Sequence, residues 1–322
     1  MKAAVRSKYG TADVLSVKEI ETPAPTDNEV LIKVYATTVN RSDWHILTGK
    51  PFLMRLFTGL FKPKLSITGT DFAGQIAAVG KNVTSFKVGD KVMGFSGGLF
   101  GFESHAQYFL LSEAKAIKTI VNIPEKLTYP EAAACLEGAF YAVSGIMLNP
   151  KAGQKALVNG ATGAIGSSHV QFLKFYGVYV TAVCRGEHSE LVKSLGADKV
   201  IDYTKDDFTK DDEQYDFVFD AVGRSSFFKC KRLLKKNGIY TSSGGPENLI
   251  LVLVTPLLGG KKVVFKPPKN IKAGLNFIKE LIEKGSFRPV IERTYPLDKI
   301  AEAFTYVATG QKIGNVIITM DA

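Results

Sequence analysis

The stretch "KALVNGATGAIGSSHVQFLKFYG" (155–177) decides how the rest of the chain is read. An apolar run, a glycine-rich turn and an amphipathic helical pattern follow one another without a break, which is the order strand, turn, helix. Gly163 and Gly166 take the second and third places of the dinucleotide-binding fingerprint, Ala161 takes the first, and Gly160 precedes it. Each place has a physical demand. The tight turn, which runs through Thr162, needs residues without bulky side chains, the backbone at Gly163 must approach a pyrophosphate, and Gly166 lets the helix pack closely on the sheet. The N–H groups around Gly163, Ala164 and Ile165 would face the phosphates, aided by the positive end of the helix dipole.

A glycine pattern alone is weak, since any strand-turn-helix can carry one; its surroundings make it a nucleotide site. From 122 to 266 short β-branched runs alternate with helical stretches: "VYVTAVC", "SELVKSLGA", "KVIDY", "DFVFDAVG" and "GIYTSSG". That alternation predicts a doubly wound parallel sheet covered by helices. Before it, residues 1–121 read as many short strands ("KAAVRS", "EVLIKVYATTVN", "DFAGQIAAVG", "DKVMGF", "HAQYFLLS") broken by Gly, Pro and Asn, the pattern of a partly open β-barrel. After it come one more helix, "IKAGLNFIKELIEKG", and a lone terminal strand, "GNVIITM", expected to return to the first domain. The α/β class follows, with a barrel domain from 1–121 and 267–322 and an inserted domain from 122–266.

A length of 322 residues with 45% hydrophobic and 22% charged content fits two globular domains and excludes a largely disordered chain. Three separated cysteines, Cys135, Cys184 and Cys230, without a CxxC pair argue against a disulfide framework and a zinc knuckle. The net charge of +10 is spread along the chain, and only "KCKRLLKK" (229–236) is dense; we read it as a solvated helix face and expect no nucleic-acid partner. The same excess charge draws in an anionic cofactor. No apolar signal core opens the chain, and the longest apolar run, 249–260, is too short to span a bilayer, so a cytoplasmic location is expected.

The second strand of the inserted domain, about twenty residues after the turn, names the cofactor. An NAD site would end this strand in Asp or Glu to accept from the ribose hydroxyls, whereas "VTAVCRGEHS" ends in Cys184 and Arg185. Arg185 can pair with a 2′-phosphate, so NADPH is expected. The competing reading leaves Arg185 in solvent and gives the ribose to Glu187 or Glu190.

Taken with the cofactor turn, the blocks at 71–95, "YPEAAACLEGAFYAV" (129–143), "SLGADKVIDY" (194–203), "YDFVFDAVG" (215–223) and "YPLDKIAEAF" (295–304) resemble the medium-chain dehydrogenase/reductase superfamily, zinc-independent quinone oxidoreductase-like branch. The likeness runs nearly end to end. It implies a GroES-like catalytic domain, an inserted Rossmann domain and a nicotinamide held between them. It also implies that Tyr203, Val222 and Gly223 lie on the adenosine side and Gly244 nearer the nicotinamide.

Zinc-dependent members of the superfamily carry a Cys in the motif that "VNRSDWH" (39–45) resembles, and a His-Glu pair in the block matching "GTDFAG". Here those places hold Asn40, Thr70 and Asp71, and no third ligand stands out near Glu137. Catalytic zinc needs three protein ligands, commonly His, Cys or Glu. None of the four histidines, His45, His105, His169 and His188, forms an i, i+4 pair, and no metal is expected. Without a Lewis acid to lower a hydroxyl pKa, oxidation of simple alcohols is disfavoured, whereas hydride delivery to a quinone or an α,β-unsaturated carbonyl needs orientation, water exclusion and an oxyanion donor.

Asn40 is a candidate donor to substrate or nicotinamide, or else a turn cap; "VNRSDWH" itself reads as strand and turn. Asp43 could orient neighbours or a proton-delivering water, or simply accept from the loop backbone. Tyr141 is a further donor candidate. The "KPFLMRLFTGLFKPK" segment (50–64) reads as a lid for lipophilic substrates, a membrane-touching amphipathic helix, or packing within a dimer or core. A homodimer is expected. Two other functions stay open: a zinc-type alcohol dehydrogenase, and an NADPH-binding module that associates with a partner, RNA or a membrane.

Overall fold

Two different sheets organise the computed structural model, which describes residues 1–97, 101–243, 247–266 and 268–320. The chain begins with β1 (Lys2–Val5), β2 (Ser16–Glu19), β3 (Glu29–Thr38), α1 (Arg41–Thr48), α2 (Arg55–Thr58), β4 (Asp71–Val79), β5 (Lys91–Phe95) and β6 (Tyr108–Ser112). It continues through α3 (Glu113–Thr119), β7 (Ile120–Asn122), α4 (Tyr129–Ala134) and α5 (Glu137–Ile146). Next come β8 (Lys155–Asn159), α6 (Ala164–Phe175), β9 (Tyr179–Cys184), α7 (Ser189–Ser194), β10 (Lys199–Asp202), β11 (Tyr215–Asp220), α8 (Phe227–Cys230), β12 (Leu234–Ser242), α9 (Glu247–Leu258) and β13 (Lys262–Val263). The last elements are α10 (Ile271–Glu283), β14 (Ile291–Pro296), α11 (Ile300–Ala308) and β15 (Asn315–Thr319). The chain forms two compact units, residues 1–137, 270–283 and 288–322 in one, and 138–269 with 284–287 in the other.

In the first unit seven strands run in the order β14-β15-β3-β4-β5-β7, with β6 also paired to β3, so the sheet is bent but not closed. All pairs are antiparallel except β14 with β15. The terminal strand β15 pairs Ile317 with Thr38 of β3, which brings the end of the chain into the sheet it began. Ile32, Val34, Phe72, Ile76, Val92, Ile120, Phe304, Val316 and Ile318 form its core.

In the second unit six strands, all parallel, take the order β10-β9-β8-β11-β12-β13. Counted from β8 this is 3-2-1-4-5-6, in which the sheet order reverses beside β8. The strands β8, β9 and β11 are buried almost along their whole length, as a parallel sheet covered on both faces requires. Leu157, Val183, Val218, Leu233, Leu234 and Tyr240 belong to one of its core clusters.

Three local readings change. "VNRSDWH" is mostly helix, because Asn40 is extended (φ −110°, ψ 172°), Asp43 Oδ2 accepts from Asn40 N at 2.8 Å, and α1 then runs to Gly49 at φ +60°. "KCKRLLKK" is not one helix face: α8 stops at Cys230, a single 3₁₀ turn spans Lys231–Leu233, and β12 starts at Leu234, with both leucines buried. The 50–64 segment holds only two short pieces, a 3₁₀ turn at Phe52–Met54 and α2, which Gly59 ends at φ +121°.

Candidate cofactor turn and buried carboxylate cluster

At the carboxyl end of β8, Gly160 adopts φ +78°, and a Cβ on it would stand 2.0 Å from Val222 Cγ2. Its N–H and that of Ala161 both donate to Val183 O at 3.1 Å, which ties the turn to β9. Gly163 caps α6, and a Cβ there would find only Gly160 O at 3.6 Å, so this backbone is open to an approaching group. Gly166 is the opposite case, since its Cβ would lie 2.1 Å from Gly160 O. The helix and the turn therefore touch backbone to backbone, and the N–H groups of Ala164 and Ile165 at the start of α6 have no intrahelical acceptor, whereas Ser167 N already donates to Gly163 O at 2.9 Å. A helix N-terminus with an open glycine before it fits a pyrophosphate.

Arg185 follows β9 and Tyr203 follows β10, and Arg185 Nε donates to Tyr203 Oη at 3.0 Å. Both side chains remain about half exposed, Tyr203 at 49%. Glu187 Oε1 lies 3.9 Å from the Arg185 guanidinium, so the competing acid and the arginine share one corner. The loop bearing Val222 and Gly223 is held by Asp220, a residue that sequence reading did not single out. Its Oδ1 accepts from Val222 N at 3.2 Å, Gly223 N at 3.0 Å and Asn159 Nδ2 at 3.0 Å, while Oδ2 accepts from Ser225 N at 2.9 Å. Gly244 falls outside the described residues. Tyr141, half-buried on α5, packs its ring edge-on to Phe140 at 6.1 Å in this second unit.

The first unit collects a different set. Asp71 opens β4 fully buried, and four donors reach it: Thr38 N at 2.9 Å, Thr38 Oγ1 at 2.6 Å, Thr37 Oγ1 at 3.2 Å and Asn40 Nδ2 at 3.2 Å. Asn40 Nδ2 also donates to Thr38 Oγ1, so both amide protons point into the protein. Glu137 Oε2 accepts from Thr70 Oγ1 at 2.7 Å and Oε1 from Ser42 Oγ. Asp43 is fully buried; one oxygen accepts from Asn40 N, and Oδ1 has no partner among the described residues.

Three buried carboxyls so close cannot all ionise without cost. Burial, and then the charge of Glu137, push Asp71 up to about 7 against its donors. Burial, then Glu137 and Asp71, hold Asp43 well above the usual carboxylate range, and burial also raises Glu137 against Ser42 and Thr70. Lys312, just before β15, is pushed down to about 8 by burial, opposed by the charges of Glu137, Glu292 and Asp71. Nothing in the spacing singles out Lys312, since a lysine ahead of a terminal strand reads as solvated.

The zinc implied by part of the superfamily does not fit this cluster. Asn40 and Thr70 present donors already directed to Asp71 and Glu137, and among the described residues no group of three His, Cys, Asp or Glu is placed to hold a metal ion. The histidines are dispersed. His105 Nε2 donates to Thr38 O at 3.0 Å and is neutral, burial pushing it down to about 4; His169 packs against Phe219 with ring centroids 4.6 Å apart. His45 Nδ1 meets Lys50 O at 2.7 Å, and His188 Nε2 lies 3.4 Å from Glu187.

A bent antiparallel unit and an inserted 3-2-1-4-5-6 parallel unit with a phosphate-ready turn define a nicotinamide-type oxidoreductase architecture. Comparison with known proteins agrees. The family model "Alcohol dehydrogenase GroES-like domain" matches residues 26–125, and "Zinc-binding dehydrogenase" matches 195–318. A chloroplastic quinone-oxidoreductase of Triphysaria versicolor is 31% identical over 99% of this chain and 98% of its own. An NADPH-dependent alkenal/one oxidoreductase of Arabidopsis thaliana, also chloroplastic, is 32% identical over 99% of this chain and 79% of its own. The solved quinone oxidoreductase of Coxiella burnetii superposes with a TM-score of 0.85 at 26% identity, covering 100% of this chain and 99% of that one. The chain is an oxidoreductase and belongs to the medium-chain dehydrogenase/reductase superfamily, in its zinc-independent quinone oxidoreductase-like branch.

Proposed function

We propose that the chain is an NADPH-dependent, zinc-independent reductase that delivers hydride to quinones or α,β-unsaturated carbonyls. The observation that carries this reading is the polar cluster around Asp71. Asn40 and Thr70 direct their donors to carboxylates and offer no Lewis-acid site, so the acceptor must be electrophilic by its own conjugation. The names of the Triphysaria and Arabidopsis relatives support that acceptor class.

On this reading the Gly160–Ile165 turn would hold the pyrophosphate, Arg185 would pair with the 2′-phosphate, and Tyr203, Val222 and Gly223 would flank the adenosine. Bound NADPH supplies the hydride. For an enone, hydride forms a bond at the β-carbon, the electron pair moves to an enolate, and a proton from solvent completes the α-carbon; for a quinone, one hydride and one proton give the hydroquinone. Asn40 and Asp43 are positioning residues here, fixing Asp71 and the start of α1, while Tyr141 is the proposed hydrogen-bond donor to the developing oxyanion.

Initial rates of NADPH oxidation with quinones, enones and alkenals, and of NADP⁺ reduction with simple alcohols, test this in the presence and absence of chelator. Turnover of the conjugated acceptors untouched by chelator is expected. Chelator-sensitive alcohol oxidation would overturn it, and tight NADPH binding with no turnover would favour a binding module instead.

A further inference from the structure

Between α1 and β4 lies a segment, residues 50–64, to which the proposed hydride transfer assigns no role. From Trp44 to Thr70 there is no Asp or Glu, and the fixed charges are Lys50, Arg55, Lys62 and Lys64. Inside those cations the sequence "PFLMRLFTGLF" (51–61) repeats apolar pairs at every fourth position: Phe52 and Leu53, Leu56 and Phe57, Leu60 and Phe61.

Such spacing normally buries one face of a helix, yet here the apolar side chains stay in water. Phe61 is 91% exposed, Leu53 65%, Phe52 64% and Leu56 57%. The backbone beneath them is nonetheless tied down. Tyr9 Oη donates to Gly59 O at 2.7 Å, Lys64 N donates to Thr58 O at 2.8 Å, and Arg55 Nε donates to Gly49 O at 3.2 Å with its guanidinium 4.6 Å from the Tyr9 ring. A fixed apolar tip of this size, rimmed by charge of one sign, is the mark of an interaction surface.

The charge selects the occupant. A second copy meeting this patch about a two-fold axis would set Lys50, Lys62 and Lys64 against their own equivalents with no carboxylate in the segment to answer them. An anionic lipid surface answers both features, taking aromatic and leucine side chains at the acyl boundary and lysines at the phosphates. We propose that residues 50–64 are a docking site for anionic membrane surfaces, with Phe61, Phe52 and Leu53 entering the bilayer interface and Lys50, Lys62 and Lys64 at headgroup level. The protein lies on the membrane and does not span it; among the described residues no helix is long and apolar enough to cross one.

Co-sedimentation of the full chain with vesicles of phosphatidylcholine alone, and of phosphatidylcholine mixed with phosphatidylglycerol, tests this at near-physiological ionic strength. Binding to the mixed vesicles that weakens as salt is raised, with far less on the neutral ones, is expected. Replacing Lys62 and Lys64 by Ala should lower partitioning about thirtyfold, which is about 2 kcal/mol. Phe61→Ser should lower it about tenfold or more while leaving the thermal midpoint and NADPH oxidation unchanged, since that side chain is 91% exposed. Absence of binding, equal binding to both vesicle types, or an unaltered Phe61→Ser variant overturns the proposal. So does a concentration-dependent dimer that Phe61→Ser abolishes, which would make the patch an interface between copies.

Discussion

Asp71 and Arg185 carry the sharpest consequences of single side chains. With its carboxyl raised from 3.8 to about 7, Asp71 holds a proton in the folded protein at pH values where the unfolded chain has lost it. Its contribution to stability is therefore complete below about pH 4 and is lost as pH rises to about 7, by up to about 4 kcal/mol. His105, lowered from 6.5 to about 4, acts in the opposite sense, so the readout is the difference between wild type and Asp71→Asn in urea unfolding across that window. Wild type should lose stability relative to the variant as pH rises; parallel profiles would show that Asp71 is ionised throughout. Arg185→Ala should raise KM for NADPH by about tenfold to a hundredfold, as loss of a charge-assisted phosphate contact does, with little change for NADH. The place of Arg185 just after β9 was legible because it is counted from the glycine turn. Asp220 and Lys312 were not, because Asp220 works through backbone N–H groups that only the folded loop brings to it, and Lys312 feels the charges of Glu137 and Asp71, which are remote in sequence.

The glycine pair of α6 separates a contact with ligand from a contact with protein. Gly163→Ala adds a methyl into open space at φ −71°, so unfolding should be unchanged while NADPH affinity falls, because the backbone can no longer approach the pyrophosphate. Gly166→Ala forces a Cβ to within 2.1 Å of Gly160 O, and it should lower stability by about 1–3 kcal/mol even without cofactor. Thermal unfolding with and without NADPH distinguishes the two, and equal effects on stability would remove the assigned difference. Strands and helices with a clear period, such as β4, β8, α6 and α10, were legible in advance. The start of α1 carried its own signal, Asn40 with Asp43 three residues on, but the strand-rich context outweighed it. The basic run at 229–236 misled for a different reason: Leu233 and Leu234 are buried by neighbouring strands, and charge density says nothing about that.

At the scale of the molecule, ligand should act through the unit that holds the turn. NADPH at about 100 times its Kd should stabilise the transition involving residues 138–269 by about 2.7 kcal/mol, and NADH at the same concentration by much less; equal stabilisation would argue against the 2′-phosphate contact at Arg185. By itself the sequence determined the α/β class, the insertion of a parallel-sheet unit into an antiparallel one, and the place of the glycine turn between β8 and α6. Those follow from hydrogen-bond periodicity and from glycine's tolerance of φ > 0, which act over a few neighbouring residues. Only the tertiary structure decided that Asn40 turns inward to Asp71, that Ser42 and Thr70 converge on Glu137, and that the 50–64 apolar tip stands in water. Burial and carboxylate pairing depend on which distant segments share a volume, and residues as far apart as Thr70 and Glu137 meet because the sheet brings them together.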